Sequence, residues 1–130
     1  MAGPMEKPTR QIMVVDDNAV LRRLLTTVLK LRGFEVLTAE NGEVALDMLA
    51  NGANGVSMMI VDVRMPRLDG IGVLKAVKRE HAEIPVVMLT IPDEADRADE
   101  ARQLGAEDFL IKPVDPGSLM AVVERVIGNA

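Results

Sequence analysis

The sequence contains no cysteine, tryptophan or tyrosine and only one histidine, His81. Without cysteine there is no disulfide, thiolate nucleophile or thiolate zinc site, and a reducing cytoplasm is the compartment that we expect. One histidine excludes a multi-histidine metal site. Binding to nucleic acid needs a basic surface and usually aromatic faces, so a net charge of −5 and a pI near 4.9 predict no direct contact with DNA or RNA.

Long hydrophobic runs are also missing, since no apolar stretch approaches the roughly 18 residues of a membrane span. We therefore expect no membrane partner. Met1–Arg10 is polar and interrupted by two prolines, which predicts a disordered tail. Residues 11–130 then form one domain, because the chain is no longer than the roughly 150 residues of a typical domain.

Short apolar runs, rich in β-branched residues or methionine, alternate with segments of helical period. Ile12–Val15 and Val86–Leu89 are continuously apolar, which predicts strands buried on both faces. Repeated strand and helix units predict a three-layer α/β fold, with a parallel sheet between helices. The predicted strands are Gln11–Val15, Phe34–Thr38, Val56–Val61, Pro85–Thr90 and Asp108–Ile111. The predicted helices are Asn18–Arg32, Gly42–Asn51, Gly70–Glu80, Ala95–Leu104 and Pro116–Ile127.

Polar residues stand at the carboxyl ends of several predicted strands. Asp16 and Asp17 follow the first strand, and Asp62 follows the third. Thr90 ends the fourth strand and Lys112 follows the fifth. Because the carboxyl ends of parallel strands share one edge of the sheet, where α/β proteins bind ligands, we expect these side chains to converge there.

Three carboxylates at one place raise one another's pKa unless a cation neutralises them. Oxygen ligands without histidine or cysteine favour Mg²⁺, which at such an edge usually accompanies phosphate. Lys112 and Thr90 can contact phosphoryl oxygens, which leaves a carboxylate as the nucleophile. Asp62, opposite the acid pair, is the candidate for an aspartyl phosphate.

In this order and spacing, the residues resemble the receiver domain of two-component response regulators. The resemblance is carried by D-D-N at 16–18, D-V-R-M-P-R-L-D-G at 62–70, Thr90, and the segment 105–113 that ends in Lys112-Pro113. It covers about Gln11 to about Ile127. It implies a flavodoxin-like (βα)5 fold, with a parallel five-stranded sheet in the order 2-1-3-4-5.

The resemblance also implies a role for each site residue. Asp62 would be the phosphoacceptor, and the Lys112-Pro113 bond would be cis. The implied ligands of Mg²⁺ are Asp17, Asp62 and the backbone carbonyl of Arg64, with Asp16 acting through water. The implied phosphoryl contacts are Thr90, Lys112 and the backbone amides of Arg64 and Ile91.

A receiver domain implies a signalling role rather than a turnover enzyme. The phosphodonor would be a histidine kinase or a histidine phosphotransfer protein in the cytoplasm. Thr90 and Phe109 would act as the switch. A downstream effector or a second copy of the chain would contact the face made by the fourth helix, the fifth strand and the fifth helix. The fourth helix is the expected moving part, because it offers the sheet only four small or apolar residues: Ala95, Ala98, Ala101 and Leu104.

The first predicted helix carries more apolar residues than one buried face requires. Leu21 and Leu25 lie on the flank of the apolar arc, near the acid pair, and we predict that they help to dock the phosphodonor. The narrow stripe predicted to face the sheet comprises Val20, Leu24, Val28 and Leu31.

Two other classes of protein share parts of this pattern. A Mg²⁺-dependent phosphohydrolase of the haloacid dehalogenase type also uses an aspartyl nucleophile, but it needs Asp-x-Asp after the first strand, and the chain has D-D-N at 16–18. A flavodoxin would carry a phosphate loop rich in serine, threonine and glycine there. Acids would repel that phosphate.

Overall fold

The alternation of apolar runs and helical segments folds into one parallel sheet with helices on both faces. The structure, a computed structural model, describes residues 10–53 and 55–128. The strands are β1 (Gln11–Val15), β2 (Glu35–Ala39), β3 (Val56–Asp62), β4 (Val86–Thr90) and β5 (Asp108–Ile111). The helices are α1 (Ala19–Leu31), α2 (Gly42–Ala50), α3 (Gly70–Glu80), α4 (Ala95–Gln103) and α5 (Pro116–Ile127). The sheet order is β2-β1-β3-β4-β5, which confirms the predicted order.

The predicted bounds of the elements are close to the observed ones. Strand β2 is shifted by one residue, since it is Glu35–Ala39 rather than Phe34–Thr38. Phe34 precedes the strand because its amide donates to the carbonyl of Leu29 and its ring is buried below α1. The predicted disordered tail, Met1–Arg10, lies outside the described residues except for Arg10.

Side chains of β1 enter cores on both sides of the sheet. Ile12 and Val14 pack with α1 and α5, whereas Met13 and Val15 pack with α2 and α3. All four side chains are fully buried. Burial on both faces is the reason for the continuously apolar strand sequences.

The predicted sheet-facing stripe of α1 is wrong at three of its four positions, and only Val28 packs, partly buried, against the core. Val20 and Leu31 are 78% and 80% exposed and Leu24 is 44% exposed, whereas Leu25 and Leu29 are buried. The sequence carries two adjacent apolar rows on this helix, and the position of α5 beside α1 decides which row is covered.

The predicted docking surface on α1 therefore needs correction. Leu25 is 1% exposed and Leu21 packs partly buried against the same core cluster. Their side chains support α1 on the sheet, and Leu25 has no surface to offer a partner.

Helix α4 also differs from the prediction. Ala95 is exposed, and Ala101 is the one buried residue of this helix. The helix is attached to the rest of the fold by little apolar area, as its sequence predicts.

Within the described part of the chain, no helix combines the length and the apolarity that crossing a bilayer requires.

Candidate functional site

The register of the sheet places the acidic residues at the same edge. Val15 is paired with Val61, so that Asp16 and Asp62 follow at the same edge. The amide of Lys112 donates to the carbonyl at the end of β4, at 2.8 Å, which brings the end of β5 to the same edge.

Asp16, Asp17 and Asp62 form an acidic cluster. Each offers a carboxylate oxygen, and these oxygens all lie within 4.8 Å of one another. Asp16 and Asp62 are 0% and 3% exposed, and Asp17 is exposed. Arg22 reaches back to the backbone of this cluster and donates to the carbonyl oxygen of Asp16 at 2.6 Å.

The ammonium group of Lys112 contacts the acidic cluster. Its Nζ lies 3.0 Å from Oδ2 of Asp62 and 3.3 Å from Oδ2 of Asp16. Burial works against the charge of Lys112, but the two carboxylates outweigh it and raise the pKa of the ammonium. The Lys112-Pro113 peptide bond is cis, as the resemblance implies.

Burial raises the pKa of Asp62 from its ordinary value of 3.8 to about 6. Lys112 opposes the rise, and the charge of Asp16 adds to it. The backbone amide of Arg64 also donates to Oδ1 of Asp62, at 3.1 Å. The carboxylate is therefore desolvated and held from two sides.

The donor set suits a hard divalent cation. Three carboxylates face the Lys112 ammonium, and an excess of negative charge remains when Arg22 at the Asp16 carbonyl is included. Oδ2 of Asp16 is buried, and it has no hydrogen bond of good geometry besides its ion pair with Lys112 at 3.3 Å. An oxygen-ligated metal ion would satisfy this atom and balance the charge.

The side chain of Thr90 is buried at the end of β4, but it contacts a residue that the sequence analysis missed. Its hydroxyl lies 3.2 Å from the carbonyl oxygen of Ile91 and 3.4 Å from Oε1 of Glu94. Glu94 ends a single 3-10 turn, Pro92–Glu94, and its side chain is 3% exposed.

Glu94 also binds two other groups near the acidic cluster. The amide of Ile91 donates to its Oε1 at 3.4 Å, and the guanidinium of Arg64 forms an ion pair with its Oε2. Burial disfavours the charged form, but Arg64, the Ile91 amide and Thr90 together hold the pKa of Glu94 below its ordinary value. The sequence does contain one signal: proline favours the first position of a turn, and a glutamate two residues later can accept from the amide that precedes the turn.

Asp69 and Gly70 place α3 against the cluster. The carboxylate of Asp69 caps the helix by accepting from the amide of Gly72 at 3.0 Å, and it pairs with Arg97 of α4. A Cβ atom at Gly70 would lie 2.1 Å from the carbonyl oxygen of Asp62. Only glycine lets the helix begin this close to β3.

Phe109 lies on β5, three residues before Lys112. Its ring is partly buried, and the guanidinium of Arg102 lies 4.8 Å from the ring centroid. This arrangement is a cation–π contact between α4 and β5.

Comparisons with known proteins cover nearly the whole chain. The family model described as "Response regulator receiver domain" matches residues 12–124. The "Probable transcriptional regulator ycf27" of Pyropia yezoensis is 40% identical over 126 residues, which are 97% of this chain and 51% of that protein. The "Regulatory protein AtoC" of Escherichia coli K12 is 39% identical over 117 residues, 90% of this chain and 25% of that protein. The chain thus spans about half of the length of the first relative and a quarter of the length of the second.

Solved structures resemble the whole fold. The chemotaxis response regulator CheY4 of Vibrio cholerae has a TM-score of 0.84 and 31% identity, covering 92% of this chain and 99% of that chain. The receiver domain of NtrX from Brucella abortus has a TM-score of 0.84 and 33% identity, with the same coverage of both chains.

Proposed function

The chain belongs to the response regulator receiver domain family, and on that premise we propose that Asp62 accepts a phosphoryl group from a histidine kinase or a histidine phosphotransfer protein. The observation that carries this proposal is the buried carboxylate of Asp62, 3.0 Å from the Lys112 ammonium and inside an acidic cluster. We propose a stoichiometric phosphoacceptor, not a turnover enzyme.

The transfer itself is a displacement at phosphorus. A carboxylate oxygen of Asp62 attacks the phosphorus of a phosphohistidine, the O–P bond forms and the N–P bond breaks. The electron pair of the broken bond stays on the imidazole of the partner, which takes up a proton from water. Lys112 balances charge on the transferred group, and the Thr90 hydroxyl and the amides of Arg64 and Ile91 donate to its oxygens.

We propose Mg²⁺ as the cofactor, held by Asp17, Asp62 and the Arg64 carbonyl, with Asp16 acting through water. The buried Oδ2 of Asp16, whose one described polar contact is the ion pair with Lys112, and the excess negative charge of the cluster support a cation here. When bound, Mg²⁺ supplies charge neutralisation for the carboxylates and the phosphoryl oxygens.

The proposal predicts a phosphoryl adduct at a single residue. The purified chain is incubated with acetyl phosphate, in parallel with Mg²⁺ and with EDTA, and is weighed by mass spectrometry. We expect a mass gain of one phosphoryl group only with Mg²⁺, and borohydride reduction followed by peptide mapping should locate it at Asp62. An adduct at another residue, or none with Mg²⁺, contradicts the proposal. Sustained hydrolysis of a generic phosphomonoester would favour the phosphohydrolase.

We propose that the phosphodonor contacts Val20 and Leu24 instead of Leu25. Both side chains are exposed on the first half of α1, directly after the acid pair. Replacing both by serine should slow transfer from a donor protein about tenfold, since exposed apolar residues gain most from burial at an interface. The rate with acetyl phosphate should not change. Leu31→Ser, 80% exposed at the far end of the helix, is the control. Equal losses in both variants would contradict this surface.

The output proposal concerns Thr90, Phe109 and helix α4. A phosphoryl group on Asp62 would draw the Thr90 hydroxyl inward, and the ring of Phe109 would turn inward beside β4. The small buried area of α4 supports its displacement in this step. The altered face of α4, β5 and α5 would then bind a downstream effector or a second copy of the chain.

A further inference from the structure

The carboxylate of Glu94 engages donors that the proposed function assigns to the phosphoryl group. Its Oε1 lies 3.4 Å from the Thr90 hydroxyl and 3.4 Å from the Ile91 amide nitrogen. Its Oε2 pairs with the guanidinium of Arg64, the residue whose amide lies against Asp62. An internal anion thus lies within hydrogen-bonding distance of two donors of the proposed phosphoryl site.

Glu94 is placed there by burial as well as by hydrogen bonds. Its side chain is 3% exposed, whereas the side chain of Arg64 is 75% exposed. A buried carboxylate is stable only when its oxygens are paired, so the donors around it are held by it in turn. The distances of 3.4 Å are at the long end of hydrogen bonding, which makes an exchange of acceptors inexpensive.

We propose that Glu94 is an internal competitor of the phosphoryl group. In the unphosphorylated protein its carboxylate accepts from the Ile91 amide and shares the single Thr90 hydroxyl proton with the Ile91 carbonyl, which lies 3.2 Å from that hydroxyl. A phosphoryl group on Asp62 must displace the carboxylate to reach these donors. This inference rests on the proposed function of Asp62. It makes Glu94 a positioning residue that sets how tightly the phosphoryl group is held.

If Glu94 only stabilised the turn, a variant that keeps this stabilisation would bind a phosphoryl group as tightly as the wild type. Glu94 is the third residue of the turn Pro92–Glu94, and it accepts from the Ile91 amide as the glutamate of a capping box does, which stabilises the turn. Glutamine also serves in a capping box, but it carries no charge. Glu94→Gln therefore keeps the cap and weakens the competition.

The test measures the binding of beryllofluoride, a phosphoryl mimic, to the full chain in the presence of Mg²⁺. Amide NMR titrations give the half-saturating concentration for the wild type, Glu94→Gln, Glu94→Ala and Asp93→Asn. We expect both Glu94 variants to bind about tenfold more tightly, equivalent to ~1.4 kcal/mol. Asp93→Asn removes the same charge from the exposed neighbouring residue and should bind like the wild type.

Without ligand, the Ile91 amide resonance should move further from its wild-type position in Glu94→Ala, which loses this acceptor, than in Glu94→Gln, which keeps it. Unchanged or weaker binding by Glu94→Gln overturns the inference, and so does an equal gain in Asp93→Asn. If Glu94→Ala loses its fold, Glu94→Gln decides the matter. A wild type that takes up no beryllofluoride at Asp62 would overturn the proposed function itself, whereas a wild type that binds it beside unchanged variants overturns only the role of Glu94.

Discussion

Gly70→Ala is expected to destabilise the protein by about 3 kcal/mol or more, at the upper end of what overpacking costs. The added Cβ would lie 2.1 Å from the carbonyl oxygen of Asp62 and 2.8 Å from Cα of Val63. Both contacts are with backbone atoms of a buried strand end, which cannot rotate away. Either α3 or β3 must move, and the acidic cluster is built on the end of β3. Urea denaturation followed by circular dichroism measures the loss.

Gly72→Ala is the matched control in the same helix. Its added Cβ would lie 2.5 Å from Cδ1 of Leu68, the far end of a flexible side chain that can turn aside. Alanine also improves helix propensity by up to about 1 kcal/mol. We expect Gly72→Ala to fall within about 1 kcal/mol of the wild type. If the two variants lose similar stability, the close approach of Gly70 to β3 is not the cause.

Asp62→Asn is expected to stabilise the metal-free protein at pH 7.5 by on the order of 2 kcal/mol. Burial raises the pKa of the folded carboxyl from 3.8 to about 6. The folded state therefore binds the proton more tightly than the unfolded state, and the stability from this group is lost as pH rises from about 4 through about 6. Asparagine carries no charge and avoids that loss. Asparagine contacts Lys112 more weakly than the carboxylate does. The gain in the free energy of unfolding is therefore smaller than the free energy equivalent to the full pKa shift.

Denaturation at pH 4 and at pH 7.5 in EDTA tests this expectation. The difference between Asp62→Asn and the wild type should be small at pH 4 and large at pH 7.5. Millimolar Mg²⁺ should raise the stability of the wild type at pH 7.5 and have less effect on the variant, because a ligand stabilises the state that binds it. The exposed Asp93→Asn should follow the wild type throughout. If the difference in stability between Asp62→Asn and the wild type were the same at both pH values, this would contradict a raised pKa of the buried Asp62 carboxyl.

Much of the candidate site could be predicted because each acid follows an apolar run directly. Asp16 follows β1 and Asp62 ends β3, and parallel strands carry their carboxyl ends to one edge by construction. Asp69 was also predictable as a cap, since a carboxylate one residue before a helical segment accepts from its first free amides. These inferences need only local sequence and the direction of the strands.

Glu94 could not be found in this way as a neighbour of Arg64. The two residues are 30 positions apart, and their contact depends on how the turn after β4 lies against the loop after β3. The same limit applies to Gly70, whose close approach to the Asp62 carbonyl is a distance between two elements.

The sequence by itself determined the order of strands and helices, because apolar period and capping residues act over a few neighbouring positions. It also determined that the polar residues at the carboxyl ends of the strands meet at one edge of the sheet, whereas the place of Glu94 beside Thr90 was decided by the tertiary structure. Only the tertiary structure decided that Leu25, and not Leu24, is covered on α1. Two apolar rows of one helix have nearly equal local preference for burial, so the choice between them is made by the surfaces of β1 and α5 against which the helix packs.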